Sequence, residues 1–139
     1  MKYRKLNGYK YQLVEPYTYT LPRAFSGQMA NLPYIILVDR KLFIKKGYAW
    51  DGPSGPTFDT DTFMRGSLVH DALYNLLRTK DLRPQLRFQV DIVLRDICRE
   101  DGMCRFRAWY VYKGVRLFGG SRARNGVENY DKIYETKGE

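Results

Sequence analysis

Apolar and polar residues alternate along the first third of the chain. Segment 9–21 (YKYQLVEPYTYTL) places Tyr or Leu at every second position on either side of Pro16. This pattern favours two short strands near a sheet edge, where the missing amide hydrogen of a proline is tolerated. Segments 34–38 (YIILV) and 41–46 (KLFIKK) are separated by two residues, which is typical of a strand–turn–strand unit. We therefore expect the first half of the chain to be β structure.

The period of the apolar residues changes to that of a helix in the second half. Leu and Ala recur at three- and four-residue spacing between Met64 and Arg78, and a second such segment runs from Pro84 to Arg99. The short connection between them predicts an antiparallel helix pair. A third helix is expected over 105–118, and its predicted apolar, inward side consists of Phe106, Trp109, Tyr110, Leu117 and Phe118.

Together these patterns predict an α+β fold in a single domain, 1–139. It comprises a small antiparallel sheet within the β-rich part, 9–48, and then a loop, 49–62, that is rich in Gly, Pro and Asp. Two or three helices follow within 63–118, the two central ones antiparallel. The tail, 119–139, is expected to be irregular.

The composition is strongly basic, with 24 Lys and Arg against 15 Asp and Glu, and a formal net charge of +9. Such a charge favours acidic partners: nucleic acid, an anionic membrane surface or an acidic protein face. Solubility alone is the other explanation. Segment 99–124 combines seven basic residues with aromatics, so a nucleic-acid-binding protein is one hypothesis. We favour instead a helix that packs its aromatics inward and leaves its arginines in solvent.

Two cysteines, Cys98 and Cys104, are too few for a disulfide framework, and with one histidine they do not complete a structural zinc site. A reduced intracellular protein is the simplest interpretation. No signal peptide is recognisable, and no apolar run approaches the roughly 18 residues of a transmembrane helix. We expect a soluble protein made in the cytoplasm.

The candidate chemistry centres on His70, the single histidine of the chain. Tyr74 lies one helical turn later and so shares its face. If the next helix returns antiparallel, Asp91 in its middle would face His70. A carboxylate that fixes the tautomer of a histidine and stabilises its charged form is the standard arrangement of a general base. Tyr74 would donate its hydroxyl to the same carboxylate.

Asp71 points away from this pair and is available for a cation, together with oxygens of the loop 51–56. A carboxylate with backbone carbonyls is the ligand set of a hard cation such as calcium. There is a structural alternative, in which the histidine is an ordinary core or surface residue. Asp91 would then form surface ion pairs with Arg87 and Arg95, four residues away on either side.

Three runs of sequence carry a resemblance to a known family. They are GYAWDGPSGPTFDTDTFMRGSLVHDALYNLLR, LRFQVDIVLRD and FRAWYVYKGVRLFGG. Over residues 34–120 the chain resembles a family of small tailed-phage and prophage proteins that is defined as a domain of unknown function. The resemblance implies a phage setting, in which incorporation into the virion is one expectation, but it implies no reaction.

The first of these runs also resembles calcium-dependent phospholipases A2, most closely the compact type found in small-virus capsid proteins. Those enzymes have a glycine-rich calcium loop before a helix that bears His-Asp. The resemblance implies that Asp71 is the side-chain ligand of calcium. It also implies that carbonyls near Gly52 and Gly55 complete the site, within the loop 50–56.

The same resemblance implies that His70 activates water, with Tyr74 and Asp91 holding it in place. The expected reaction is calcium-assisted hydrolysis of a phospholipid ester, without a covalent intermediate, at an anionic membrane surface. The hypothesis from a different class is a non-catalytic virion, tail or assembly protein whose partners are other phage proteins. Nucleic-acid binding is the third hypothesis.

Overall fold

The computed structural model describes residues 1–7, 11–52 and 61–124. The strands are β1 (Tyr3–Lys5), β2 (Tyr11–Leu13), β3 (Tyr17–Thr20), β4 (Ala30–Asn31), β5 (Ile35–Val38), β6 (Lys41–Ile44) and β7 (Ala49–Trp50). The α-helices are α1 (Asp61–Arg78), α2 (Arg87–Glu100), α3 (Arg105–Phe118) and α4 (Gly120–Arg124), and short 3-10 helices span Arg23–Phe25 and Pro84–Leu86. The predicted α+β class, with strands first and helices after, is confirmed.

The strands form two antiparallel sheets, in the orders β1-β2-β7 and β3-β6-β5-β4. The predicted hairpin is β5–β6, and its two turn residues, Asp39 and Arg40, have φ of 50° and 65°. Positive φ at both central positions is the signature of the tight turn that matches strand twist. Strand β3 lies at an edge as predicted. Strand β2 is instead central in its sheet, because Pro16 falls between the two strands and removes no amide from either ladder.

Helices α1 and α2 form the predicted antiparallel pair. At one end Arg65 of α1 binds Asp101, just past α2, at 2.9 Å, and at the other end Tyr74 accepts a hydrogen bond from Arg87. The helices approach closely at Gly66, where a Cβ atom would lie 3.0 Å from Sγ of Cys98. That close approach fixes the register of α2 against α1.

The main core is formed by the sheets, α1 and one side of α2, and a second, smaller cluster lies beneath α3. Helix α3 buries Ala108 and Val111, with Val115 beside them. The predicted inward side was wrong: Phe106, Trp109, Tyr110, Leu117 and Phe118 are all 50% or more exposed. Both sides of α3 are apolar, and the small side chains on the buried side let its backbone approach the α1–α2 pair.

Helix α4 departs from the predicted irregular tail, because Gly120–Arg124 are helical. It packs against α1, where Nη1 of Arg78 donates to the carbonyl oxygen of Arg122 at 3.0 Å. The tail beyond 124 lies outside the described residues. In the described ranges, no helix has both the length and the apolarity required to cross a membrane.

Candidate functional site

One face of α1 forms the floor of a cavity of about 650 Å³. Its polar lining follows helical spacing: Ser67, His70, Asp71, Tyr74, Asn75 and Arg78. Apolar walls come from the end of β7, the start of α1, the middle of α2 and from α3: Trp50, Phe63, Leu94, Val111, Val115 and Phe118. The polar stripe is visible in the sequence at i, i+3, i+4, i+7, i+8 and i+11. It would have identified Ser67, Asn75 and Arg78, which the sequence reasoning missed.

His70 and Asp91 are in direct contact, as predicted. Nε2 of His70 lies 2.8 Å from Oδ1 of Asp91, and the two side chains belong to facing helices. His70 is 7% exposed and Asp91 is fully buried. The antiparallel pairing of α1 and α2 therefore places an oriented imidazole in the cavity floor.

Tyr74 completes the predicted trio. Its hydroxyl donates to the same carboxylate oxygen, Oδ1 of Asp91, at 2.8 Å, and its ring centroid lies 4.2 Å from that of His70. Burial raises the pKa of Tyr74, and the charge of Asp91 raises it further, against an opposing effect of Arg87. The phenol thus stays protonated at neutral pH, where it serves as a donor and positioning group rather than as a base.

Two arginines that the sequence reasoning did not assign to the site form hydrogen bonds with its residues. Nη1 of Arg116 donates to Oδ2 of Asp91 at 2.9 Å. Arg87 donates to the hydroxyl of Tyr74 at 3.2 Å and, through Nη2, to the carbonyl oxygens of Val115 and Arg116 at 3.0 and 2.9 Å. These bonds fasten the end of α3 to the dyad, so a third helix contributes to the geometry of the histidine.

The alternative in which Asp91 forms surface ion pairs is wrong. Asp91 has no exposed surface, Arg95 pairs with its neighbour Asp96 at 3.3 Å, and the donors of Arg87 bind the groups named above. The arginine that pairs with Asp91 is Arg116, from another helix. Residue spacing within α2 cannot reveal a partner that comes from another helix. The only sequence feature that points to Arg116 is that it is a basic residue next to the buried side of α3, which contains Ala108 and Val111.

The ionised state of Asp91 fixes the tautomer of His70. Burial raises the pKa of this carboxyl, but the hydrogen bonds from His70, Tyr74 and Arg116 outweigh it, and the pKa lies below its usual range. An ionised carboxylate only accepts hydrogen bonds. Nε2 of His70 must therefore carry a proton, and in the neutral ring Nδ1 is left with the lone pair of a base.

Ser67 lies about one helical turn before His70 on the cavity face, but both of its bonding roles are used. It accepts from Nε1 of Trp50 at 3.0 Å and donates to the carbonyl oxygen of Met64 at 2.8 Å. A serine held in this way secures β7 to α1 and is not arranged as a nucleophile. The geometry favours a base acting on water over a Ser–His pair.

Asp71 lines the same cavity as Asp51. Its surroundings raise the pKa of the Asp71 carboxyl, chiefly through burial and then through the charge of Asp51. Arg122 opposes this shift most strongly, followed by His70 and Arg78. The carboxylate thus lies where additional positive charge would stabilise it.

This chemistry fits the predicted calcium site as far as the residues are described. Asp71, Asp51 and Gly52 line one cavity, and Gly52 has a φ of 75°. The second predicted carbonyl, Gly55, lies outside the described residues. Among residues 1–7, 11–52 and 61–124, no three His, Cys, Asp or Glu side chains are grouped to hold a metal. Calcium takes about six to eight oxygens, many from backbone carbonyls and water.

No protein-family model matches this chain, and neither a curated protein nor a solved structure is significantly similar to it.

Proposed function

We propose that this chain is a phage-type ester hydrolase that cleaves phospholipids with a phospholipase-A2-like site. The observation that carries the proposal is the buried hydrogen bond between Nε2 of His70 and Oδ1 of Asp91, in the floor of a cavity with apolar walls. The sequence resemblance supports the phage setting and the class of substrate.

In the proposed reaction His70 is the general base. Nδ1 takes a proton from water as the water oxygen attacks the ester carbonyl carbon, and Asp91 stabilises the imidazolium that forms. The tetrahedral intermediate then collapses, the bond to the alcohol oxygen breaks, and the imidazolium returns its proton to that oxygen. The products are a fatty acid and a lysophospholipid, and no oxidant or covalent enzyme intermediate is required.

The shape of the cavity supports a substrate with an acyl chain. A volume of about 650 Å³ is within the usual range for small-molecule sites, and the walls include Trp50, Leu94 and Phe118. Arg78 and Arg122 line it as well and would attract a phosphate. Asp71 and the loop that begins at Asp51 would hold calcium, which supplies Lewis-acid polarisation of the ester carbonyl when bound.

The test is release of fatty acid from phospholipid micelles by the purified protein, in millimolar calcium. We expect the His70→Asn variant to lose at least about 100-fold in kcat, the low end of what a general base contributes. Tyr74→Phe keeps the ring and removes only one donor to Asp91, so a smaller loss of roughly tenfold is expected.

The matched control is Met29→Ser, a change at an exposed site on the sheet side of the molecule. It should release fatty acid at the wild-type rate. Urea unfolding of each variant separates loss of activity from loss of fold. Hydrolysis that is unchanged in His70→Asn, or no release by the wild type with or without calcium, would overturn the proposal.

One observation favours a second candidate, the non-catalytic virion or assembly protein: the large exposed side chains of α3. Under this hypothesis the His70–Asp91 contact is a structural feature that holds α1 to α2. Stoichiometric copies of the chain in purified phage particles, together with no lipid hydrolysis, would support this candidate over the enzyme.

A further inference from the structure

The outward side of α3 carries a stripe of large apolar residues interrupted by one lysine. Phe106, Trp109, Tyr110, Lys113 and Leu117 recur at i, i+3, i+4, i+7 and i+11, so they lie along one line of the helix, opposite its buried side. Phe106 and Leu117 are each 74% exposed, and Phe118 at the helix end is 77% exposed. We call this set, with Phe118, the outer stripe.

Most of the outer stripe also lines the cavity described above. Trp109, Tyr110, Lys113, Leu117 and Phe118 all line it. The outer stripe and His70 therefore line one and the same cavity. Large exposed apolar patches of this kind on a small protein mark interaction sites.

The charged residues of α3 and α4, the helices that carry and follow the outer stripe, all have one sign. Between residues 105 and 124 the sequence contains no Asp or Glu and six basic residues: Arg105, Arg107, Lys113, Arg116, Arg122 and Arg124. The rings of Phe106 and Trp109 are neighbours, with centroids 6.3 Å apart. A cationic group lies beside them, because Nζ of Lys113 is 6.0 Å from the Trp109 centroid. Apolar and cationic groups are thus mixed within a single patch.

We propose that the outer stripe docks the protein onto an anionic lipid surface. Aromatic and aliphatic side chains on one side of a helix enter the boundary between headgroups and acyl chains, while Lys and Arg at the same level pair with lipid phosphates. The proposal rests on the function proposed above only for the idea that docked lipid enters the cavity. Binding itself requires no hydrolysis.

Other occupants fit the stripe less well. A second copy packed through the same stripe would bring together the cationic groups of two α3–α4 segments, and that segment contains no Asp or Glu to pair with them. Single-stranded nucleic acid stacks on aromatic rings and pairs with basic side chains, but it gains little from an exposed aliphatic residue such as Leu117. A bilayer uses all three kinds of side chain.

Fluorescence provides the experiment, because the chain has two tryptophans and Trp50 is 3% exposed, whereas Trp109 is 52% exposed. The wild type is mixed with vesicles of ether-linked phosphatidylglycerol, which contain no carboxylic ester bond, and with ether-linked phosphatidylcholine vesicles. We expect a blue shift of the emission and co-sedimentation with the anionic vesicles, weakening as salt rises. Both effects should be much weaker with the neutral vesicles.

The matched pair of variants is Leu117→Ser and Met29→Ser. Leu117 is 74% exposed and Met29 is 69% exposed, but Met29 lies outside the outer stripe. We expect Leu117→Ser to weaken vesicle binding by about tenfold, the effect of keeping most of one leucine out of an apolar phase. Met29→Ser should bind as the wild type does, and urea unfolding checks that both variants are folded.

Equal binding of Leu117→Ser and the wild type would overturn the proposal. So would equal binding to anionic and neutral vesicles, tighter binding to a single-stranded oligonucleotide than to any vesicle, or a dimer in sedimentation that Leu117→Ser dissociates. A failed hydrolase remains distinguishable, since vesicle binding would persist in the wild type and in His70→Asn while no fatty acid is released from ester lipids.

Discussion

Oδ2 of Asp91 lies 2.9 Å from Nη1 of Arg116, so the carboxylate that orients His70 is shared among three helices. Oδ1 binds His70 and Tyr74 of α1, and Oδ2 accepts a hydrogen bond from Arg116 of α3. A single buried group therefore couples the orientation of the base to the docking of the helix that forms one cavity wall.

Replacement of Asp91 by Asn should destabilise the protein at neutral pH. The variant keeps the shape of the side chain but removes the charge that pairs with Arg116. Loss of one partner from a fully buried ion pair costs about 3–5 kcal/mol. Because Arg116 is partly exposed and can turn toward solvent, we expect roughly 2 kcal/mol in the free energy of unfolding, measured by urea titration.

The stability difference between the wild type and Asp91→Asn should depend on pH. The folded-state pKa of Asp91 is lowered, so its contribution is complete above the unfolded value of about 3.9 and is lost as pH falls through the lower folded value. The stability difference between wild type and Asp91→Asn should therefore shrink below about pH 4. A difference that stays constant from pH 7 to pH 2 would show that the charge of Asp91 is not its source.

Gly119 should not tolerate a side chain. A Cβ atom there would lie 2.5 Å from both the hydroxyl of Tyr74 and the carbonyl oxygen of Val115. We expect Gly119→Ala to lower the free energy of unfolding by about 1–3 kcal/mol, the usual cost of overpacking, and to displace Tyr74 from Asp91.

The control for that prediction is Gly114, in the interior of α3, where a Cβ atom would meet no atom within 4 Å. Gly114→Ala should raise the melting temperature, because alanine is favoured over glycine inside a helix by about 0.5–1 kcal/mol. Equal effects of the two substitutions would show that the close contact at Gly119 has no influence.

Asp71→Asn should stabilise the protein at pH 7. Because the folded-state pKa of Asp71 is raised, its ionised form costs stability at neutral pH, and this cost disappears as pH falls below the unfolded value of about 3.9. We expect a gain of roughly 0.5–1 kcal/mol, allowing for solvent screening of a partly exposed group. Thermal melts at pH 7 and pH 3 would check the sign.

Calcium provides a complementary measurement on the same residue. A cation that binds the folded state raises the stability by about 2.7 kcal/mol when its concentration is 100 times the Kd. Millimolar calcium should raise the melting temperature of the wild type and leave Asp71→Ala unchanged. An equal rise in both proteins would exclude Asp71 as a ligand.

The two cysteines should differ in reactivity. Cys104 is exposed at the start of α3, whereas Cys98 is buried, and burial together with the nearby charge of Asp101 raises its pKa to about 12. A thiol reagent at pH 8 should label one site in the folded protein and two in urea, since the thiolate is the reactive form. Peptide mapping that finds Cys98 labelled under native conditions would contradict the packing of α1 on α2.

The sequence by itself determined the longer strands, the three long helices and one long-range contact. The change from a two-residue to a helical apolar period marked the passage from strands to helices. The short connection after Arg78 favours an antiparallel arrangement of α1 and α2. Once that pairing is accepted, the equal rise of two helices places Asp91 opposite His70, and Tyr74 one turn along. Local periodicity and chain connectivity are enough for such a contact.

Only the tertiary structure decided which side of α3 is buried. Both of its sides are apolar, and hydrophobicity alone favours burying the larger one with Trp109 and Phe106. Close packing against α1 and α2 selected the side with Ala108 and Val111, because small side chains allow the approach that brings Arg116 to Asp91. The choice between two apolar sides depends on the shape of the surface they meet, which no residue of α3 encodes alone.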